Sequence, residues 1–393
     1  MENQKRIVYL TFDFLEPIFS GNGTLSRIQI FGLLERGFKV LVFCPDNKEE
    51  DPETSKWVGE GVLEVVRIQI ESDKNLSPSC DWKGFYSKGL TKMEEIEKFN
   101  PQLIINPDWH SIDLAVKIKT DLSIPLVSQF FRIFSYFKNY IPNEEDYTVI
   151  SRKEIQLVSQ SDLVITLSQF DNEWAQEKGA KNACITYPPL SEEFIQALKA
   201  SSTIDASDKI RLITVSRLVP EKNLIRIFPI LKELEKLGLN FSYTLIGEPL
   251  DPQYSEKIKK TIETMKFHSK IRLIGRISLE EMIYQLRIHP IYLHTSSYEP
   301  FGITITEAVA AGCVVVLDQK GLIGAKEFML HHPNLANTIL IDYSNPKYSA
   351  EKIYDKIKST QPIKHNEINS DFISELSPSQ YVDNLVKIFR DFL

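Results

Sequence analysis

Cysteine is sparse and scattered. The chain has four, Cys44, Cys80, Cys184 and Cys313, with no C-x-x-C pair and no histidine at metal-ligand spacing from any of them. A disulfide framework or a zinc site is therefore not expected, and a reducing compartment fits. Basic charge is not in excess: 46 Lys and Arg stand against 53 Asp and Glu, a net charge of −7. That balance excludes the basic footprint of a general nucleic-acid binder. Long apolar runs are missing as well. The longest, residues 308–317, contains Gly312 and is too short to span a bilayer. Residues 1–6 are polar and lead into only a short apolar stretch, which is not the pattern of a signal peptide. The expectation is a cytoplasmic protein, free to touch a membrane surface from that side. Internal repeats and low-complexity tracts are also absent. Glycine, at 16 of 393 residues, is scarce enough that each cluster carries information.

What is present is ordinary globular composition, 42% hydrophobic and 25% charged, in a chain long enough for two domains. Short aliphatic runs alternate with amphipathic stretches from end to end. Strands are expected at residues 7–12, 40–43, 63–70, 103–105, 126–129, 163–166 and 183–186, then at 210–215, 243–246, 271–274, 291–294 and 314–317. Continuous apolar strands alternating with helices mean α/β domains whose parallel sheets are covered on both faces. Tyr187-Pro188-Pro189 closes the first series, and a polar stretch follows before the second begins. The expected division is a domain over 1–190, a linker over 191–208 and a second domain over 209–376. A last helix over 377–393, with Tyr381, Leu385, Ile388 and Phe392 on one face, should pack back towards the first domain. Two doubly wound halves leave a cleft, and ligands in such sheets bind beyond the carboxyl ends of the strands.

The most informative stretch is Glu299-Pro300-Phe301-Gly302-Ile303-Thr304-Ile305-Thr306-Glu307-Ala308. It follows the strand at 291–294 and the polar turn Thr295-Ser296-Ser297-Tyr298, and it opens a helix ending near Gly312. Gly302 lets backbone approach a ligand closely. The N–H groups of Ile303 to Ile305, at a helix start, favour an anion such as a diphosphate. Glu307 is suited to a ribose diol and Glu299 to a sugar hydroxyl. A second stretch, Val215-Ser216-Arg217-Leu218-Val219-Pro220-Glu221-Lys222-Asn223, places a fork-shaped Arg217 and a point-charge Lys222 at a strand end, which suits phosphate oxygens. A capping acid and two solvated surface charges are the plainer alternatives.

The E-P-F-G-x-x-x-x-E-A frame resembles family 4 of the retaining glycosyltransferases, whose GT-B fold sets two Rossmann-like domains around a central cleft. The resemblance implies that Arg217, Lys222 and Glu299 are catalytic. It implies that Phe301, Gly302, Ile303, Thr304 and Glu307 hold the donor. Gly21 and Gly23, in Ser20-Gly21-Asn22-Gly23-Thr24, stand where the family carries a Gly-rich loop beside the donor phosphates. Gly275-Arg276-Ile277 resembles the segment whose backbone reads the nucleotide base. Asp108-Trp109-His110 is similar to the D-W-H of glycogen and starch synthases, which makes His110 a fourth catalytic candidate near the sugar. Residues 321–327 keep only part of the family's G-G-x-P-E loop. Where many members place a histidine facing the donor sugar, Phe130-Phe131-Arg132 stands instead, so no histidine is carried over. That aromatic segment is the candidate acceptor region, compatible with a lipid-linked acceptor or a peripheral membrane contact.

The resemblance therefore implies a metal-independent, retaining transferase without a cofactor. Its co-substrate would be a nucleotide-diphosphate sugar, UDP- or GDP-linked, and its acceptor a saccharide or a lipid-linked molecule. Two alternatives share the donor site: a sugar-nucleotide 2-epimerase of the same fold, and a catalytically silent sugar-nucleotide-binding protein.

Overall fold

The computed structural model describes residues 4–16, 18, 20–46, 60–70, 80–141, 143–201, 210–332, 337–359 and 368–393. It divides into two compact units. One holds Met1–Pro188 with Pro378–Leu393, and the other Pro189–Ser377.

The first unit is built on β1 (Arg6–Leu10), β2 (Lys39–Pro45), β3 (Val62–Ile68), β4 (Leu103–Pro107), β5 (Leu126–Gln129), β6 (Leu163–Thr166) and β7 (Ala183–Ile185). They form a parallel sheet in the order β3-β2-β1-β4-β5-β6-β7. Ile7, Val8, Tyr9 and Leu10 are all fully buried, as expected for the interior of a strand covered on both faces. The helix Gly21–Glu35 starts at Ser20, whose hydroxyl accepts from the N–H groups of Asn22 and Gly23. The C-terminal helix Pro378–Phe389 lies along it. A Cβ on Gly32 would stand 2.5 Å from Val382, Arg36 pairs with Asp383 at 2.7 Å, and Gln29 donates to the Tyr381 hydroxyl at 2.7 Å. The buried face of this helix is Tyr381, Val382, Leu385 and Phe389. Phe392, expected on that face, falls in a terminal 3-10 turn instead.

The second unit continues with β8 (Ile210–Val215), β9 (Phe241–Ile246), β10 (Ile271–Ile274), β11 (Ile291–Leu293), β12 (Tyr298–Glu299), β13 (Val314–Asp318), β14 (Leu322–Ile323) and β15 (Thr338–Ile341). Its main sheet runs β10-β9-β8-β11-β13-β15, all parallel. Both sheets therefore share the doubly wound order, with a switch point between β1 and β4 in one and between β8 and β11 in the other. Two details differ from the sequence expectation. Edge strand β15 and the two-residue parallel pair β12–β14 are not among the expected strands. Within the expected linker, Glu192–Ala200 is a helix that buries Phe194, Ile195 and Leu198. Three apolar residues at helical spacing found a core to enter. The remainder of that linker, 202–208, lies outside the described residues.

Candidate functional site

At the switch point of the second unit, the loops after β8 and β11 leave from neighbouring strands. This adjacency brings Lys222 to Glu299, 77 residues later. Lys222 closes a 3-10 turn, Pro220–Lys222, that starts with proline and stops at Asn223, a non-glycine residue at φ 51°. The loop after β11 is tied to this turn and its neighbours at almost every residue. Thr295 donates its hydroxyl to the Lys222 carbonyl at 2.7 Å. Arg226 donates to the Thr295 carbonyl at 3.3 Å and to Asp318 Oδ2 at 2.5 Å. Asn223 donates to Ser297 Oγ at 3.3 Å, and Tyr343 donates to the His294 carbonyl at 2.6 Å. On the other side, Tyr298 and Glu299 pair with Leu322 and Ile323. The glycine-bounded segment 321–324 thus backs the loop that carries Glu299.

The helix Ile303–Ala310 begins at Gly302, whose φ of 105° no other residue type adopts comfortably, and no side chain caps it. A Cβ there would also stand 2.7 Å from Ile305 Cδ1. The Ile305 N–H bonds to the Gly302 carbonyl at 3.0 Å, so the expectation of three open N–H groups is corrected to two. Those of Ile303 and Thr304 take no partner among the described residues. The buried Tyr292 hydroxyl lies 3.0 Å from Thr304 Oγ1 and 3.1 Å from the Val215 carbonyl, which moors the helix start to the end of β8. The result is a cationic side chain and two open amide N–H groups beyond the strand ends, groups suited to an anion.

The two glutamates sit in opposite electrostatic settings. Lys222 Nζ is 2.5 Å from Glu299 Oε1, with side chains 20% and 12% exposed. Burial would raise the Glu299 carboxyl, but Lys222, His294 and a hydrogen bond from Ser296 outweigh it and hold the group down to about 2. Glu307 has no such company: burial pushes its carboxyl up to about 8 and nothing opposes it. His294 is a residue the sequence argument passed over. It is 5% exposed, and its Nε2 lies 3.7 Å from Glu299 Oε1 without a hydrogen-bond partner. Burial lowers it to about 4. The available signal was a histidine ending a buried strand directly before a run of hydroxyl residues.

Arg217 is exposed and makes no ion pair among the described residues. Gly275 and Arg276 are exposed and Ile277 half-buried, just past β10. They adjoin the end of β9, where the Gly247 N–H bonds to the Ile274 carbonyl at 3.0 Å, and Arg276 lies 3.9 Å from Glu248. Phe301 belongs elsewhere. Its side chain is 2% exposed and meets Phe328 edge-on at 6.3 Å. It anchors the loop in the core and offers no ring face to a ligand.

In the first unit, the loops after β1 and β4 likewise meet. Asn22 donates to Asp108 Oδ2 at 2.7 Å, and the N–H groups of Phe131 and Arg132 donate to Oδ1 at 2.9 and 3.3 Å. Burial raises Asp108 to about 7 against those bonds. His110 is 5% exposed and stacks on Trp109 at 4.1 Å, with Phe12 and Phe134 also against its ring. Burial lowers it to about 3, and neither His110 Nε2 nor Trp109 Nε1 has a hydrogen-bond partner among the described residues. Gly23 owes its place to local packing. Ser20 binds the carboxylate of Asp13 at 2.7 Å while capping Asn22 and Gly23. A Cβ on Gly23 would stand 2.4 Å from that carboxylate. Gly21, by contrast, is exposed. Pro17 and Phe19 of this loop lie outside the described residues.

The acceptor-region expectation is corrected for its two phenylalanines. Phe130 and Phe131 are 0% and 3% exposed, and Phe130 packs on Trp174, so neither presents a face to an acceptor or a membrane. Arg132 remains half-buried, its guanidinium 5.1 Å from the Phe134 ring. Among the described residues no group of three or more His, Cys, Asp or Glu is placed to hold a metal ion. No helix there is long and apolar enough to cross a membrane.

Comparison with known proteins points to one kind of enzyme. Residues 195–371, a little under half of the chain and all in the second unit, match the family model of the glycosyl transferases group 1. The GDP-Man:Man(3)GlcNAc(2)-PP-Dol alpha-1,2-mannosyltransferase of Caenorhabditis elegans is 27% identical over 150 residues, 36% of this chain and 32% of that enzyme. The match thus spans about a third of that relative's length. The alpha-monoglucosyldiacylglycerol synthase of Streptococcus pneumoniae is 22% identical over 320 residues, 76% of this chain and 68% of that one. Among solved structures, sucrose-phosphate synthase from Thermosynechococcus elongatus superposes with a TM-score of 0.75 at 15% identity over 99% of both chains. Anabaena HepE in complex with UDP and glucose superposes with a TM-score of 0.68 at 18% identity, over 99% of this chain and 100% of that one. The fold is GT-B, and together the likenesses support a glycosyltransferase.

Proposed function

We propose that the chain is a retaining, metal-independent glycosyltransferase of family 4 that moves a hexose from a UDP- or GDP-linked donor to a saccharide or lipid-linked acceptor. The observation that carries this reading is the meeting, in one site, of Lys222, Glu299 and the open N–H groups of Ile303 and Thr304. The donor diphosphate lies on Lys222, Arg217 and the helix start. Glu307 takes the ribose hydroxyls and Glu299 a hydroxyl of the sugar. As the bond from the anomeric carbon to phosphate breaks, negative charge grows on the leaving diphosphate, and these preplaced donors stabilise it. The acceptor oxygen attacks the same face, and its proton passes to a phosphate oxygen of the departing nucleotide. No side-chain nucleophile is assigned. His110 and Arg132 of the first unit are candidates for contacts to sugar or acceptor.

A thermal-shift panel of UDP, GDP, ADP and their sugars tests the donor site. A ligand at 100 times its Kd stabilises by roughly 2.7 kcal/mol, enough to single out the right base. Transfer of labelled sugar is then followed into oligosaccharides and into diacylglycerol- or phosphatidylinositol-containing vesicles. Absence of any nucleotide-induced shift would sink the reading. Donor turnover to a 2-epimer without acceptor, or binding without turnover, would replace it with one of the two alternatives.

A further inference from the structure

The ion pair between Lys222 and Glu299 poses a problem for the reading above. In the ligand-free protein the lysine is engaged with a carboxylate at 2.5 Å, in a setting where both side chains are largely buried. A diphosphate competes for the same ammonium group. Once Lys222 turns to phosphate, Glu299 stays behind in a poorly hydrated site, and an uncompensated buried carboxylate is costly. Ser296 supplies one hydrogen bond, but a neutral hydroxyl does not replace a cation.

One further donor is in place. His294 Nε2 is 3.7 Å from the same Oε1 atom that Lys222 holds, too far for a hydrogen bond and otherwise without a partner. We infer that His294 is a positioning residue that relieves Lys222 at Glu299 when the donor binds, taking up a proton and keeping Glu299 ionised and aimed at the sugar. The inference rests on the glycosyltransferase reading of this site. The charged groups acting on His294 are Lys222, which suppresses its protonation, and Glu299 and Asp318, which favour it. Arg226 is held by Asp318 and the Thr295 carbonyl, Tyr343 by the His294 carbonyl, and the Tyr292 ring stacks on the imidazole. These groups surround His294 from the β11, β13 and 222–226 sides, and Lys222 is the one a bound diphosphate would draw away. A small approach, from 3.7 Å to ordinary hydrogen-bond distance, completes the exchange.

The test follows the imidazole resonances of the full chain by NMR with UDP-glucose and GDP-mannose as probes, since their phosphodiesters do not titrate in this range. The chain has seven histidines, and His294→Gln identifies the signal. In the free protein His294 stays neutral down to about pH 4. With saturating probe its midpoint should rise by about three pH units, far enough for the imidazole to be substantially charged near neutral pH, the direction that exchanging a neighbouring cation for anions favours. A bound probe that leaves the midpoint unmoved overturns the inference while leaving the transferase reading intact. If neither probe binds, the transferase reading fails, and Lys222→Met in the ligand-free protein still decides the electrostatics. Removal of the ammonium should raise the same midpoint, and no rise overturns the inference. A histidine shielded from Lys222 and Glu299 would respond to neither.

Discussion

Replacing Glu307 by glutamine should stabilise the ligand-free protein, by a margin that grows with pH. The unfolded chain releases this proton near the ordinary value of 4.5, whereas burial holds it in the folded protein up to about 8. Between those values the folded state binds more protons, so its stability falls as pH rises. At ~1.4 kcal/mol per pH unit, the wild type forfeits about 3 kcal/mol by pH 6.5 and about 5 kcal/mol above pH 8, and nothing below 4.5. These are upper figures, because the half-buried side chain retains some contact with water. Glutamine copies the shape of the protonated acid and has no proton to lose. All four tryptophans, at positions 57, 82, 109 and 174, precede the second unit, so indole fluorescence does not report on it directly. Urea unfolding followed by far-UV circular dichroism, with hydrogen exchange read on the helix Ile303–Ala310, is the appropriate assay at pH 5, 6.5 and 8.5. The same variant should raise the donor KM by about 2–10-fold with a smaller effect on kcat, as loss of a hydrogen bond between a neutral carboxyl and the ribose implies. Equal or lower stability of Glu307→Gln at pH 8.5, or a gain independent of pH, would refute the argument.

Other outcomes follow from the same site. Glu299→Gln should chiefly lower kcat, because misplacing the anomeric carbon costs rate; steady-state kinetics with donor varied at saturating acceptor would reveal a reversed pattern. Lys222→Ala and Arg217→Ala should each lower turnover by about one to two orders of magnitude with the fold intact, and a folded variant near wild-type turnover would remove that residue from the mechanism. Transfer should survive EDTA, whereas loss on chelation with recovery on adding Mn or Mg would replace the Arg–Lys site with a metal-held diphosphate.

Much of the second unit could be read in the chain itself. The strand runs at 210–215, 243–246, 271–274, 291–294 and 314–317 reappear at β8, β9, β10, β11 and β13 with ends shifted by at most two residues, because strands covered on both faces are mostly apolar. Gly302 was legible for a similar reason, since a helix start without a capping side chain and with φ of 105° needs glycine. The misjudged residues are those whose chemistry looks alike on a surface and in a core. Phe130, Phe131 and Phe301 are aromatic in either setting, and only packing decides that they face inward.

Sequence alone thus determined the kinds of group available: a strand-end Arg and Lys, a glycine-started helix and two glutamates eight positions apart. Their assignment to distinct states was a tertiary decision. The doubly wound order sets β8 beside β11, and that neighbourhood joins Lys222 to Glu299 across 77 residues. It also leaves Glu307, eight positions further on, without a cation. One carboxyl is consequently held near 2 and the other near 8. A residue's type states which proton it can carry, but its pKa is set by the burial and the charges that the fold places around it.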